Sequence, residues 1–464
     1  MQEKPKIAFV VSSELFVRNY FKTDALAQLE RDWDVHFVVS ADIKDRDTIE
    51  GNGRKIVYYP VDHRHRKRQF KTYKVLMRRY QKRSSTFEFR LDRMFEPKRK
   101  YTRPLLANLT SNLNALRERI GIAARRARLG LLASGPVFHW IRRKRIVMLE
   151  PSQGIVQALS NTAFNLIVMP SSAFDPDGND VIQHAKRAGI KTMFLIDNWD
   201  NLSSKSVMLL KPDFLGVWGD QSALHAKDIQ DFDVAKVCVL GTPRFDEYFR
   251  ARDEKISSPF DFPYILFLGT SLSFDEASAL EHLEAVINRN PDRFNGVRII
   301  YRPHPWRSDK DTIVGRGLQR VDVDPQLADH YFGTGRRTHF QPELTYYPGL
   351  LMNAELVVGG LTSMMIEATI FGKDYVALTY DDGINITNQR TVFERSEHFR
   401  GIEQIPSIGL CKVKADAERL LLDAWDRRGE RDRSQIDVAR QYILFDDGRP
   451  YSERLAALAN EAAR

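Results

Sequence analysis

The chain alternates short continuous apolar runs with longer segments whose apolar residues recur every three or four positions, the pattern of buried strands and amphipathic helices taking turns. Residues 6–13 (KIAFVVSS) predict a first buried strand, a helical stretch runs to about Arg31, and residues 34–40 and 55–61 predict two more strands. After an interruption the rhythm resumes with a strand at 165–170, a helix around 181–188, and strands at 191–196, 214–219 and 237–241. The stretch GTPRFDEYFRARDEKISSPFDF then reads as a linker. The second half restarts with a strand at 264–268, a helix from about 275 to 287 and a strand at 297–301. Its most regular unit is residues 355–383, ELVVGGLTSMMIEATIFGKDYVALTYDDG, which reads as strand, glycine turn, helix ended by Gly372 and second strand. Three helical segments from about Lys412 close the chain. Strands that are continuously apolar and joined by helices predict two doubly wound parallel sheets of the α/β class, with their strand C-termini presented to a cleft between them.

Composition sets the boundaries of this picture. At 464 residues and 43% hydrophobic content the chain suffices for two cores. No apolar run reaches the roughly 18 to 20 residues of a membrane span, and the N-terminus lacks a signal-peptide layout. Cys238 and Cys411, two and widely spaced, are expected to be buried thiols of a reducing cytoplasm. The net charge of +9 is unevenly distributed: between Arg64 and Arg145 there are 25 Lys and Arg against four acids, leaving 45 against 57 elsewhere. One basic helical insert, residues 64–149, therefore interrupts an acidic body. VFHWIRRKR sets Phe138, Trp140 and Ile141 beside a cationic cluster, as interfacial helices do, and an anionic membrane surface is the expected partner. Arg side chains merely covering the domain are the plainer alternative. No nucleic-acid-binding module is recognisable, and the turn Ser12-Ser13-Glu14 after the first strand lacks the dinucleotide fingerprint.

Four strand-end loops carry polar residues that no structural role evidently requires. They are Gly269-Thr270-Ser271, Arg302-Pro303-His304-Pro305, Thr362-Ser363 and residues 197–205 (DNWDNLSSK). The prolines stiffen the second turn and hold an Arg fork and an imidazole outward, where an anion can sit. Thr362 and Ser363 open a helix whose free N–H groups suit phosphate.

The order of DNWDNLSSK, GTPRFDEY, FLGTS, YRPHPWR and GGLTSMMIEATIFGKDYVALTYDDG resembles bacterial GT-B transferases that build surface polymers. The similarity is greatest to capsule and surface-carbohydrate (lipopolysaccharide) transferases and more distant to CDP-glycerol glycerophosphotransferases. It covers roughly residues 190–383. It implies two Rossmann-like domains facing a central cleft: an N-terminal acceptor domain (1–245) holding the insert, a C-terminal nucleotide-donor domain (246–412), and helices (413–464) packing back across both. It also implies a nucleotide-activated sugar as co-substrate, with no separate cofactor.

Carried onto this sequence, the resemblance makes Arg302, His304, Thr362 and Ser363 donor-phosphate contacts. The neighbouring Gly269, Thr270 and Ser271 are expected to bind donor as well, and Glu367, one turn after Ser363, to reach its ribose or sugar. His304 is also a catalytic candidate. Where the glycerophosphotransferases place a His, this chain has Asp200, expected to be the general base, with Asn198, Asn201 and Lys205 orienting the acceptor. That departure argues against a glycerophosphate substrate. Asp381-Asp382 reads as a turn, so transfer without metal is expected. The function implied is glycosyl transfer to a surface-glycan or lipid-linked acceptor, by a cytoplasmic protein peripheral on the inner face of the membrane. A glycerophosphotransferase, a sugar-nucleotide epimerase and a non-catalytic glycan- or membrane-binding scaffold are the alternatives.

Overall fold

The structure, a computed structural model, describes residues 3–96, 109–144, 150–305, 313, 315–332, 344–429, 439 and 446–464. Two parallel sheets organise it. The first contains β1 (Lys6–Val11), β2 (Asp34–Ser40), β3 (Lys55–Tyr59), β4 (Leu166–Ser171), β5 (Lys191–Ile196), β6 (Phe214–Val217) and β7 (Val237–Val239), in the order β3-β2-β1-β4-β5-β6-β7. The second contains β8 (Tyr264–Leu268), β9 (Arg298–Arg302), β10 (Val321–Val323), β11 (Leu356–Gly359), β12 (Tyr375–Leu378) and β13 (Ile408–Cys411), in the order β10-β9-β8-β11-β12-β13. Each sheet reverses its strand order once, between β1 and β4 and between β8 and β11, and a crevice opens beyond the strand C-termini at such points. The apolar runs form these strands because both faces are covered: Ile7, Phe9 and Val11 pack on one side of the first sheet, Ala8 and Val10 on the other.

The helices that position the cleft are α1 (Glu14–Phe21), α2 (His63–Arg79), α3 (Ser85–Met94), α4 (Leu109–Leu132), α5 (Gly135–Arg142), α6 (Pro176–Ala188), α7 (Asp220–Asp228), α8 (Pro243–Glu254), α9 (Glu276–Arg289), α10 (Tyr346–Met352), α11 (Met364–Ile370), α12 (Gln389–Arg395), α13 (Ala417–Asp426) and α14 (Tyr451–Ala462). The stretch read as a linker is in large part helix α8. Thr242 supplies an extended N-cap backbone, Pro243 opens the helix, and Lys255 ends it with a left-handed φ of 54°. Phe245, Tyr248 and Ala251 of α8 are buried in one core with Trp199 and Trp218 of the first domain and Met364, Met365 and Ala368 of the second, so the domain junction is itself a core. Helix α14 returns to the first domain: its Tyr451 hydroxyl meets that of Tyr20 at 3.3 Å, and Asn460 accepts the Trp33 indole N–H at 3.1 Å. Helix α13 stays with the second domain, where Leu421 and Trp425 are buried.

The basic insert is fastened to the first domain by carboxylates of α6. His65 meets Asp180 at 2.8 Å, Arg66 donates to Asp177 at 2.7 Å, and Gln69 donates to Asp180 at 2.9 Å. Phe138 and Ile141, which the sequence groups with Trp140 on an interfacial face, are buried; Phe138 lies edge-on to Tyr80 at 6.0 Å. Positions 138 and 141 are three apart on α5 and share its inner face, whereas Trp140 lies outside and is 57% exposed.

Candidate active site between the two sheets

The loops that follow β5, β8, β9 and β11 converge on a cleft of about 350 Å³. From the first domain come Asn198, Trp199, Asp200, Ser204 and Lys205; from the second, Ser271, Leu272, His304, Leu361, Thr362 and Ser363. Two further walls have no counterpart among the residues that the sequence pattern singles out: Thr86, Phe89, Arg90 and Arg93 of α3, which belongs to the basic insert, and Ser396, His398 and Phe399 after α12. The structure thus brings together seven of the residues singled out in the sequence, Asn198, Asp200, Lys205, Ser271, His304, Thr362 and Ser363.

The other five stand behind the wall. Thr270 donates its hydroxyl to the Leu361 carbonyl at 2.8 Å and its N–H to Glu276 at 2.9 Å, tying the β8 loop to the β11 loop. Gly269 allows that packing: a Cβ there would lie 2.9 Å from the His304 nitrogen and 3.0 Å from the Arg302 carbonyl oxygen. Asn201 is buried at the start of a short helical turn, with its N–H on the Asn198 carbonyl. Arg302 is 7% exposed and stacks on Tyr347, 4.3 Å from the ring centre, while donating to its hydroxyl at 2.6 Å. Burial works to lower its pKa, but Tyr347 together with the charges of Asp324 and Glu367 outweighs burial and raises it. Glu367, also buried, accepts from Arg244 at 3.3 Å and from the Tyr248 hydroxyl. These contacts bind α11 to α8 across the domain junction.

Asp200 accepts the Ser204 hydroxyl at 2.6 Å. Burial works to raise its pKa, but the charges of His398 and Lys205 and the Ser204 hydrogen bond outweigh burial and hold it below the usual carboxylate value. His398 is the converse: burial lowers its pKa and Asp200 opposes the change. Its ring lies edge-on to Trp199 at 5.0 Å. Asp197, at the end of β5, accepts from Asn19 at 2.7 Å; burial pushes its carboxyl up to about 6 against the pull of Arg244 and Arg18.

Helix α3 closes the cleft by holding both domains. Glu397 accepts the Ser85 N–H and hydroxyl at 3.0 and 2.8 Å, the Thr86 hydroxyl accepts the Glu397 N–H at 2.7 Å, and Arg395 reaches Asp92 at 2.8 Å. On the other side Ser84 and Arg90 donate to the carbonyls of Ser203 and Ser204. No groups able to hold a metal ion are found among the described residues. Asp381 and Asp382 form a turn in which their oxygens accept the N–H groups of Gly383, Ile384, Asn385 and Asp275.

No protein-family model and no curated protein matches the chain, whereas solved structures do. The UDP-GlcNAc 2-epimerase from Methanocaldococcus jannaschii is 10% identical with a TM-score of 0.52, over 98% of this chain and 99% of that one. The glycotransferase of kitacinnamycin is 10% identical with a TM-score of 0.50, over 99% of this chain and 100% of that one. The fold is GT-B. The likeness spans both domains and, at these identities, concerns the fold.

The burial of Glu367 yields a prediction. Glu367→Ala leaves the Arg244 guanidinium without its carboxylate at a buried junction and is expected to cost about 3 kcal/mol in urea unfolding, whereas Glu367→Gln, which keeps a hydrogen-bond acceptor for Tyr248, costs less. An unchanged midpoint with weakened nucleotide binding would make Glu367 a ligand group instead.

Proposed function

We propose that the protein is a nucleotide-sugar-dependent glycosyltransferase that acts without a metal ion on a surface-glycan or lipid-linked acceptor. The observation that carries this reading is the cleft, where hydroxyl groups and an imidazole at the strand ends of one sheet face a carboxylate, an amide and an ammonium group at the strand ends of the other. Its volume of about 350 Å³ lies within the range of small-molecule sites. In this reading Ser271, His304, Thr362 and Ser363 take the donor's phosphates, while Asn198, Asp200 and Lys205 stand on the acceptor side. Arg302 supports the β9 loop from within and does not line the cleft. Two neighbours of the fold point to sugar nucleotides as the ligand class, since their names specify a UDP-sugar epimerase and a glycotransferase.

The insert then has two parts to play. Helix α3 contributes Phe89, Arg90 and Arg93 to the acceptor side of the cleft. Helices α4 and α5 expose Ile120 at 60%, Leu131 at 63% and Trp140 among Arg117, Arg119, Arg125, Arg126 and Arg128, a combination suited to an anionic membrane surface where a lipid-linked acceptor resides. Among the described residues no helix is long and apolar enough to cross a membrane.

Two experiments test this reading. Calorimetry with UDP, GDP, CDP and CMP and their sugar conjugates should find one that binds, with Ser363→Ala and His304→Ala each weakening it about tenfold, as loss of a hydrogen bond to a charged phosphate implies. Product analysis with that donor should show sugar transfer that persists in EDTA; epimerised nucleotide sugar, or turnover restored only by magnesium or manganese, contradicts the proposal. In the second experiment, sedimentation with vesicles should show binding to anionic lipid that disappears as salt is raised and is weakened by Trp140→Ala. Equal binding to neutral vesicles, or none to anionic ones, removes the membrane assignment.

A further inference from the structure

We infer that the acceptor carries a phosphate group and that Arg90, Arg93 and Lys205 bind it where the basic insert forms the cleft wall. This inference rests on the sugar-transfer reading and names the chemical class of acceptor that the reading leaves open.

The three cations reach one cleft from two elements. Arg90 and Arg93 lie three positions apart on α3 and so share a face of that helix. Lys205 follows the short helical turn Asn201–Ser204 in the loop after β5. The two elements are joined at this point, because Arg90 Nη1 donates to the carbonyl of Lys205 at 3.3 Å and to that of Ser204. That attachment occupies one nitrogen of the guanidinium and leaves its fork free to turn other N–H groups to a ligand. Arg93 is exposed, and among the described residues its guanidinium is in no ion pair; it lies 5.9 Å from the ring centre of the buried Phe89. The half-buried Lys205 ammonium is in no ion pair among the described residues either.

Charge on this wall is unbalanced. Asp200 is the single carboxylate among the lining residues, and it already accepts the Ser204 hydroxyl at 2.6 Å. Burial and the charge of Arg93 both work against the charge on Arg90, which Asp200 supports. Three cations thus face one carboxylate. An anion entering between them relieves their mutual repulsion, which a neutral sugar hydroxyl does not. In the proposed function the donor's phosphates take Ser271, His304, Thr362 and Ser363 of the other domain, so the cations of α3 and the β5 loop are left to the acceptor.

Shape and support favour phosphate. Donors converging from a helix and a loop suit a tetrahedral oxyanion, whose oxygens point in several directions, and a guanidinium presents its N–H groups in pairs. Helix α3 is fixed on both sides: the Ser84 hydroxyl donates to the Ser203 carbonyl at 2.6 Å, and Glu397 accepts the Ser85 N–H at 3.0 Å. The two arginines therefore stand on a rigid element, as a specific site requires. The insert that carries them also carries the exposed Ile120, Leu131 and Trp140. A lipid-linked acceptor holds its phosphate between lipid and sugar, which matches an insert with an apolar, basic outer face and a cationic inner one. A phosphate on the glycan itself has the same chemistry, and the experiment separates the two sources.

Saturation-transfer NMR on the full-length protein tests binding without any transfer reaction. The probes are geranyl phosphate, a short lipid phosphate, and glucose 1-phosphate, each compared with its uncharged counterpart, geraniol or methyl glucoside. At least one phosphate should bind while its counterpart does not, and should still bind when the donor site is saturated with the nucleotide found by calorimetry. Preference for geranyl phosphate assigns the group to a lipid linker, and preference for glucose 1-phosphate assigns it to the glycan. Arg93→Gln and Lys205→Gln should each weaken the phosphate probe about tenfold, as loss of a charge-assisted hydrogen bond implies, and Arg93→Lys should weaken it less. In the transfer assay the ratio of kcat/KM for phosphate-bearing over uncharged acceptor should fall about tenfold in both Gln variants, with nucleotide affinity kept. Equal binding of phosphates and uncharged counterparts, or no binding of either phosphate, overturns the inference. So does competition between probe and nucleotide with nucleotide affinity lost in both variants, which places the donor's phosphates on these cations. The wild-type comparison stands even if a variant fails to fold. Absence of transfer with every donor overturns the proposed function itself, and is distinguished because phosphate binding is read without transfer.

Discussion

The structure depends on the core that runs through the junction of the two sheets, and on the ionic contact buried within it. Arg244 of α8 meets Glu367 of α11, and Tyr248 one turn further along α8 donates to the same carboxylate. Around them Phe245, Trp218 and Trp199 pack against Met364, Met365 and Phe371. A charge pair of this kind contributes little net stability, because desolvation offsets the Coulomb attraction. What it supplies is alignment: Arg244 Nη2 and the Tyr248 hydroxyl both reach Glu367 only when α8 and α11 stand at one relative angle. Since α11 begins immediately after Ser363, that angle also fixes where the hydroxyls of the second sheet point. The cleft is therefore placed by the junction more than by either domain.

The insert is the second determinant. Its charge suggested a surface device attached to the fold, yet α3 reaches from the carbonyls of Ser203 and Ser204 on one side to Glu397 and Arg395 on the other. It spans the mouth of the cleft and supplies part of its wall. A segment with these two attachments registers the separation of the domains, because any opening of the cleft has to break either the Ser85–Glu397 contact or the contacts to the 203–204 backbone. Most of these bonds run from a side chain to the backbone or to one carboxylate, so they can open singly.

Much of the fold was legible because strands buried on both faces are written as unbroken apolar runs; KIAFVV, YILFL and LVVG admit little else. The short edge strands β10 and β13 were missed, since three or four residues containing Asp322 or Gly409 give no such run. Helix α8 was missed because its charge density resembled a linker, although Phe245, Tyr248 and Ala251 at spacings of three gave the periodic signal. Strand-end position picked out four loops that the structure brings to one cleft. It could not say which side chain of a loop faces the cleft: Thr270 and Ser271 are neighbours, and the first is buried in the wall while the second is exposed on it. His398 was not legible. It owes its place to contacts such as Ser85 with Glu397, 312 positions apart, and a pairing that distant leaves no local pattern.

The polar groups behind the cleft wall and those at its surface differ in how they are bonded. Behind the wall, Thr270, Glu276 and Glu367 are engaged by named partners, which holds the loops in one shape, and Arg302 is tied to Tyr347 through one of its nitrogens. At the surface of the cleft the pattern changes. Among the described residues the Asn198 side-chain amide oxygen is buried without a hydrogen-bond partner, a His398 ring nitrogen is in the same state, and Ser363 stands at a helix start without capping it. An unpartnered buried polar atom costs stability, and a sequence selected for stability alone would place apolar residues of similar volume there. Their position on facing walls, with Thr270, Glu276 and Glu367 bonded behind them, gives the cleft rigid support and, in front, donors and acceptors that a ligand of the proposed class could engage.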